Sequence, residues 1–163
     1  MRAYGLSGLP IIEKGDDLVE VILRGMEAEG LELEDGDIVV ITEKGLAKAE
    51  GRIVDLGEVE PSARAIELAK VTEKDPRVVE LILQESGEVL AVGEGFIVVE
   101  TRQGFVCANA GIDQSNIIDG KAKLLPLDPD GSAARIRAGL KAKTGKKVGV
   151  VIADSWGRPF RYG

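Results

Sequence analysis

The fold class turns on "FIVVETRQGFVCAN", Phe96 to Asn109. Two apolar runs, "FIVVET" and "GFVCAN", are joined through "RQG", Arg102 to Gly104. A short glycine-containing connection between two such runs is the signature of a β-hairpin, because glycine supplies the backbone angles that reverse the chain. "EVLAVG", Glu88 to Gly93, reads as another strand just upstream. Hairpins set among helices argue for an α+β chain with mixed or antiparallel sheets and packed helices, and against a regularly alternating parallel sheet.

Working outward, "MRAYGL" reads as a short strand. A helix follows, capped by Asp16 and ended by Gly30, in which Leu18, Val19, Ile22, Leu23 and Met26 recur at helical spacing. "EDGDIVVIT" reads as a turn and a buried strand over Ile38 to Thr42, and "EKGLAKAEGR" as a loop or short helix carrying Glu43, Lys44, Lys48 and Arg52. Ser62 and Asp75 each precede a helix, the second with Pro76 in its first turn. These helices are expected to bury Ile66, Leu68 and Ala69, then Val78, Val79, Leu81 and Ile82. A last helix runs from a cap at Asp128 or Asp130 to Gly145, a buried strand "KVGVVIAD" follows, and "SWGRPFRYG" reads as an irregular tail.

The composition bounds the function. A chain of 163 residues with 44% hydrophobic and 30% charged residues is globular, long enough for one domain or two small lobes. No apolar run reaches the roughly eighteen residues that span a bilayer, and no signal-peptide core is present, so the expectation is a cytoplasmic protein with no membrane partner. A net charge of −7 without a basic stripe argues against a nucleic-acid partner. Cys107 is the single cysteine and histidine is absent. Disulfides within the chain, Ser-His and Cys-His dyads and imidazole metal ligands are thereby excluded. Chemistry falls to carboxylates, lysines, hydroxyls, amides and hard metal ions.

Asp154 ends the apolar run "VGVVIA", where a strand delivers its first polar group, and Asp113 follows "GFVCAN". Each is alone a turn or cap residue or a ligand for a hard cation; two strand ends of one sheet can bring such carboxylates to a shared metal. Ser155 adds a hydroxyl. Lys44 and Lys48 follow a strand and either meet phosphate oxygens or line a solvated helix face, and Arg102 and Arg158 either hold an anion or make surface pairs. "KTGKK" fails as a phosphate loop, since its glycine ends a helix where it should begin one. "DPDG", Asp128 to Gly131, reads as a helix cap and Cys107 as core.

Taken together, "GLPIIEKGDDL", "GDIVVITEKGLAKAEGR", "DPRVVELILQES", "ETRQGFVCANAGIDQSN", "LLPLDPDGSAARIR" and "VGVVIADSWGRPFRYG" resemble, in order and spacing, the coenzyme F420-0:γ-glutamyl ligase family. The resemblance covers nearly all of residues 1–163 as one ligase-like domain, and its most specific parts are "GFVCANAGIDQSN" and "ADSWGRPFR". It implies an intertwined homodimer with the family's α+β fold. The implied activity is a GTP-dependent ligase that adds L-glutamate to F420-0 and then further γ-linked glutamate, through an acyl phosphate, with Mg²⁺ or Mn²⁺. It further implies Asp113 and Asp154 as ligands of one metal and Ser155 as a ligand of a second. Leu9, Pro10, Ile11, Ile12, Glu43, Lys44, Lys48 and Asn116 are implied as nucleotide contacts. Ser155 stands where threonine is expected, and Gly45 where a larger apolar residue is usual. The family pattern continues for roughly a further third of its length beyond Gly163, so the expectation is either a fragment of the enzyme or a shortened relative. A shortened relative could bind F420 or nucleotide without catalysis. A metal-dependent phosphohydrolase would need only the carboxylates and water.

Overall fold

The computed structural model describes residues 2–115 and 117–154. In chain order they form α1 (Leu18–Ala28), β1 (Ile38–Thr42), α2 (Glu43–Ala49), β2 (Ile53–Asp55), α3 (Ala63–Thr72), α4 (Pro76–Glu85), β3 (Ser86–Gly93), β4 (Phe96–Thr101), β5 (Val106–Ala108), β6 (Lys121–Lys123), α5 (Pro129–Thr144) and β7 (Gly149–Ala153). The chain is α+β, with small sheets and packed helices. It divides into two compact units: a discontinuous one, Met1–Gly51 with Asp128–Gly163, and an inserted one, Arg52–Leu127.

In the discontinuous unit, α1 begins one residue later than expected. Asp17, not Asp16, is the cap, its carboxylate accepting the Val19 N–H at 2.9 Å, while Asp16 accepts the Glu13 N–H at 2.8 Å and closes the preceding turn. Either aspartate can satisfy an orphan N–H, so the sequence leaves the choice between neighbours open. The helix ends at Gly30, whose φ of 66° lets its N–H reach Glu27 O at 3.0 Å and the Leu31 N–H reach Met26 O at 2.8 Å. These two bonds make a Schellman motif. Helix α5 is capped by Asp128, which accepts the Gly131 N–H at 2.8 Å, and stops at Gly145 with φ 75°. Gly139 permits its close approach to α1: a Cβ there would lie 2.8 Å from Val19 Cγ2.

Strands β1 and β7 pair in parallel, from Ile38 opposite Gly149 to Thr42 opposite Ala153. Val39, Ile41, Val150 and Ile152 pack on the core that Leu18, Val19, Ile22, Leu33, Leu46, Ile136, Leu140 and Val148 form. The other face is open, with Ile38 67% and Val40 64% exposed. These strands were expected to be buried throughout, and one face only is. Alternation along a strand sends successive side chains to opposite faces, and a continuous apolar run does not say which of them is covered. Residues Arg2–Leu6, expected as a strand, join no strand ladder among the described residues.

The inserted unit is built from local pairings. Ser62 Oγ accepts the Ala65 N–H at 3.2 Å to start α3, and the Asp75 carboxylate accepts the Arg77 N–H at 2.9 Å to start α4. Helix α4 buries Val78, Val79, Leu81 and Ile82 as expected, whereas α3 turns Ala65, Ala69 and Thr72 inward and leaves Ile66 43% exposed. Against these helices lies the antiparallel sheet β3-β4-β5, contributing Ile97 and Val99 to the core. The expected hairpin pairs Val98 with Ala108, Val99 with Cys107 and Glu100 with Val106, and Cys107 is half-buried, not core. Strands β2 and β6 form an antiparallel pair that the sequence reading did not find.

Candidate functional site

Both segments to which the resemblance assigns nucleotide contacts belong to the discontinuous unit. In the first, Leu9 is 41% and Ile11 83% exposed, Pro10 is exposed, and Ile12 packs on the core. The second is helix α2. Thr42 ends β1 and caps α2, its hydroxyl accepting the Gly45 N–H at 3.2 Å, so the strand-to-helix turn is fixed by one side chain. Glu43 is buried at 5% exposure, and Lys44 and Lys48 are half-buried. The Gly15 N–H donates to Ala49 O at 2.8 Å, and the Lys14 stem lies so close over Gly51 that a Cβ there would come within 2.6 Å of Lys14 Cδ. The N-terminal segment is thereby tied to the end of α2, which brings the two stretches together.

A cleft of about 360 Å³ opens beside the first segment, lined by Ser7 to Pro10 and by Asp17, Glu20, Arg24 and Gly25 of the α1 region. Leu9 lies over Gly25, where a Cβ would come within 2.4 Å of Leu9 Cδ2. Ser7 donates its hydroxyl to Glu29, and its N–H at 3.2 Å. Those two bonds, the hydroxyl's first, hold the Glu29 carboxyl below its ordinary value. Glu20 is paired with Lys143.

Asp113 belongs to the inserted unit. It follows a turn in which Asn109, Ala110 and Gly111 have φ of 56°, 52° and 67°. Left-handed backbone at non-glycine residues costs about 1–2 kcal/mol each and persists only where the surroundings enforce it. Here Asn109 Oδ1 accepts the Ile97 N–H at 3.1 Å, Ala110 is buried, and the Leu125 side chain packs directly over Gly111. The turn delivers Asp113 opposite Lys123, with which it exchanges both backbone hydrogen bonds: Asp113 N–H to Lys123 O at 3.1 Å, and Lys123 N–H to Asp113 O at 2.8 Å. Ser115 holds the carboxylate, its N–H donating to Oδ1 at 2.7 Å and its hydroxyl to Oδ2 at 2.8 Å. The Asx turn and the ligand are therefore compatible readings, since a metal-binding carboxylate is itself usually held by hydrogen bonds.

Asp154 is exposed and follows β7 directly, in the discontinuous unit. The expectation that the two aspartates end strands of one sheet is corrected: Asp113 bridges to β6, which pairs with β2, whereas Asp154 follows β7, which pairs with β1. Among the described residues no group of three or more His, Cys, Asp and Glu side chains forms a metal site. The donors in question are all hard oxygen, the chemistry that suits Mg²⁺ or Mn²⁺ and not a thiolate- or imidazole-loving metal. Ser155, Asn116, Trp156, Arg158 and Phe160 lie outside the described residues. Arg52 proves structural: its guanidinium donates to Leu125 O at 2.8 Å and to Glu85 at 2.7 Å.

Two residues that sequence reasoning passed over stand beside Asp113. Ser115 was visible in principle, since an Asp-x-Ser spacing is that of an Asx turn reinforced by a hydroxyl. Lys123 was not, because nothing local marks "GKAKLL" as a strand.

A family model described as F420-0:Gamma-glutamyl ligase matches residues 8–163. The coenzyme F420:L-glutamate ligase of Methanothermobacter thermautotrophicus is 52% identical over 159 residues, covering 98% of this chain and 63% of that relative. The enzyme of the same name from Methanocaldococcus jannaschii is 50% identical over 157 residues, 95% of this chain and 60% of its own length. That from Halobacterium salinarum is 44% identical over 169 residues, 100% of this chain and 63% of its own length. The chain thus spans about three-fifths of the relatives it matches. With a model match over nearly its whole length and half its residues shared with such relatives, the chain belongs to the F420-0:γ-glutamyl ligase family.

Proposed function

We propose that this chain acts in a GTP-dependent ligase that joins L-glutamate to the terminal carboxylate of F420-0 and then adds further γ-linked glutamate. The observation that carries the proposal is the joining, within one unit, of the exposed Leu9–Ile12 segment to the lysine-bearing helix α2 through the Gly15–Ala49 hydrogen bond. Exposed Leu9 and Ile11 offer apolar surface to a purine, and Lys44 and Lys48 offer ammonium groups to its phosphates. The names of the relatives supply the substrates, F420 and L-glutamate.

The chemistry needs no histidine and no covalent nucleophile. A carboxylate oxygen of F420-0 attacks the γ-phosphorus of GTP, and GDP departs with the bridging electrons. The resulting acyl phosphate is attacked at its carbonyl carbon by the glutamate amine; inorganic phosphate leaves, the amine loses its proton, and an amide remains. The protein's tasks are alignment of the carboxylate with the phosphate and neutralisation of the charge that gathers there. Lys44 and Lys48 serve the second task, with Glu43 and Asn116 as further nucleotide contacts. A bound Mg²⁺ or Mn²⁺ supplies Lewis-acid stabilisation of the phosphoryl oxygens, with Asp113 and Asp154 as ligands of one ion and Ser155 of a second. The reading includes a homodimer acting in the cytoplasm.

Incubation with F420-0, GTP, Mn²⁺ and L-glutamate, followed by mass spectrometry, tests it. The expected result is product growing by glutamate units, with Asp113→Asn abolishing that growth while the protein stays folded. GDP release without growth would make the protein a phosphohydrolase, and ligand binding without turnover a binding protein. Loss of the fold in Asp113→Asn would make that residue a structural turn.

A further inference from the structure

We propose that Lys123 positions the Asp113 carboxylate for its metal ion, an inference that rests on the reading of Asp113 as a ligand. Strand β6 is three residues long, and its neighbours along the chain point one way: Ala122 and Leu124 both belong to the inserted unit's core. Lys123 lies between them and faces away from that core, yet it is only 2% exposed. Ile53 stands opposite it on β2, and Asp113 opposite it on the other side.

Residues directly opposite in an antiparallel pair share a face, and a pair that exchanges both backbone bonds has its Cα atoms about 5.5 Å apart. The lysine's four-carbon stem therefore issues beside the Asp113 carboxylate. A buried ammonium is costly unless it is hydrogen-bonded to an anion or to several oxygens. Asp113 is the carboxylate that this face provides. Its geometry leaves room for the task, since an ionised carboxylate has about four lone-pair sites. Ser115 occupies one on each oxygen. One of the remaining pair suffices for an ammonium and the other for a metal.

Two effects oppose each other when a cation supports a ligand. Fixing the carboxylate strengthens metal binding, and removal of such a supporting group typically costs about 10–100-fold in affinity. Repulsion between ammonium and dication weakens binding, so its removal would tighten it. The enclosure of Lys123 and the two-point clamp by Ser115 favour the first effect, because a carboxylate held on both oxygens loses orientation when a third holder goes.

Titration calorimetry with Mn²⁺ alone, together with thermal melting, decides between them. K123M is expected to fold and to bind Mn²⁺ about 10–100-fold more weakly, whereas K123R stays within a few-fold of the parent. A folded K123M with equal or tighter Mn²⁺ binding overturns the inference. D113N separates the two layers of argument: if D113N binds Mn²⁺ as the parent does, the ligand reading itself fails. If D113N loses the ion while K123M keeps it, only the role of Lys123 fails. Should K123M not fold, the parent protein still answers. The ammonium nitrogen resonance of Lys123, assigned by its loss in K123R, is expected to broaden on addition of Mn²⁺, and an unbroadened resonance overturns the proposal.

Discussion

The inserted unit makes its main sheet from strands that follow one another, β3 to β4 across Glu94 and Gly95 and β4 to β5 across Arg102 to Gly104. The discontinuous unit makes its sheet from strands at opposite ends of the chain, β1 and β7. The first closes its core between that sheet and two helices; the second covers one face of a parallel pair and leaves Ile38, Val40 and Val151 exposed on the other. Parallel strands are ordinarily buried on both faces. The comparison teaches that the same apolar vocabulary does two jobs here. In the inserted unit it fills a closed core, and in the discontinuous unit it fills a core on one side only.

The sharpest way to break this comparison is to cut a cavity where the core is closed. Ile82 is fully buried in α4 beside Val79, Ile97 and Val99. Ile82→Ala is expected to destabilise the protein by about 2–5 kcal/mol, the transfer loss plus the cavity left behind. Urea unfolding followed by circular dichroism measures it. A loss below about 1 kcal/mol would mean that this core relaxes into the space and is not closed as described.

The next largest effect concerns the turn before Asp113. Gly111 has φ 67°, and a Cβ on it would come within 2.8 Å of the Leu125 side chain. Gly111→Ala therefore combines left-handed strain with overpacking and is expected to cost about 1–3 kcal/mol. Because the turn also aims Asp113, Mn²⁺ affinity should fall with it. A stability loss with unchanged Mn²⁺ binding would separate the turn from the carboxylate it delivers.

This turn also marks the limit of what the sequence makes legible. The hairpin through Arg102 to Gly104, the caps at Ser62, Asp75 and Asp128 and the stops at Gly30 and Gly145 all follow from residues within a few positions of one another, and they stand as expected. Asp113, Asp154 and the lysines of α2 could be singled out because strands end in front of them and because the family's motifs contain them. What escaped depends on distant partners. The pairing of β2 with β6 joins Ile53 to Lys123, and neither three-residue strand has an apolar period of its own. The burial of Lys123 is invisible for the same reason, since "KAK" reads as a solvated stretch until its neighbours are known. The separation of the two aspartates onto different sheets is likewise a fact of topology. Two strand ends look alike in sequence whichever sheet they join.

The smallest expected effect is the most direct test of the half-covered sheet, and it lies within two adjacent residues. Val39 packs on the core of the discontinuous unit, and Val40, its neighbour, is 64% exposed. Valine and threonine have nearly the same shape and both suit a strand, so exchanging them changes little except one hydroxyl. On the covered face that hydroxyl is withdrawn from water, and Val39→Thr is expected to cost about 1 kcal/mol or more. On the open face it stays hydrated, and Val40→Thr should fall within about 0.5 kcal/mol of the parent. Equal costs at the two positions would show that the outer face is covered in solution as well, and the difference between the two units would then disappear. A cost at Val40 larger than at Val39 would go further and reverse the strand's orientation, because a one-residue shift of register exchanges every inward side chain for an outward one.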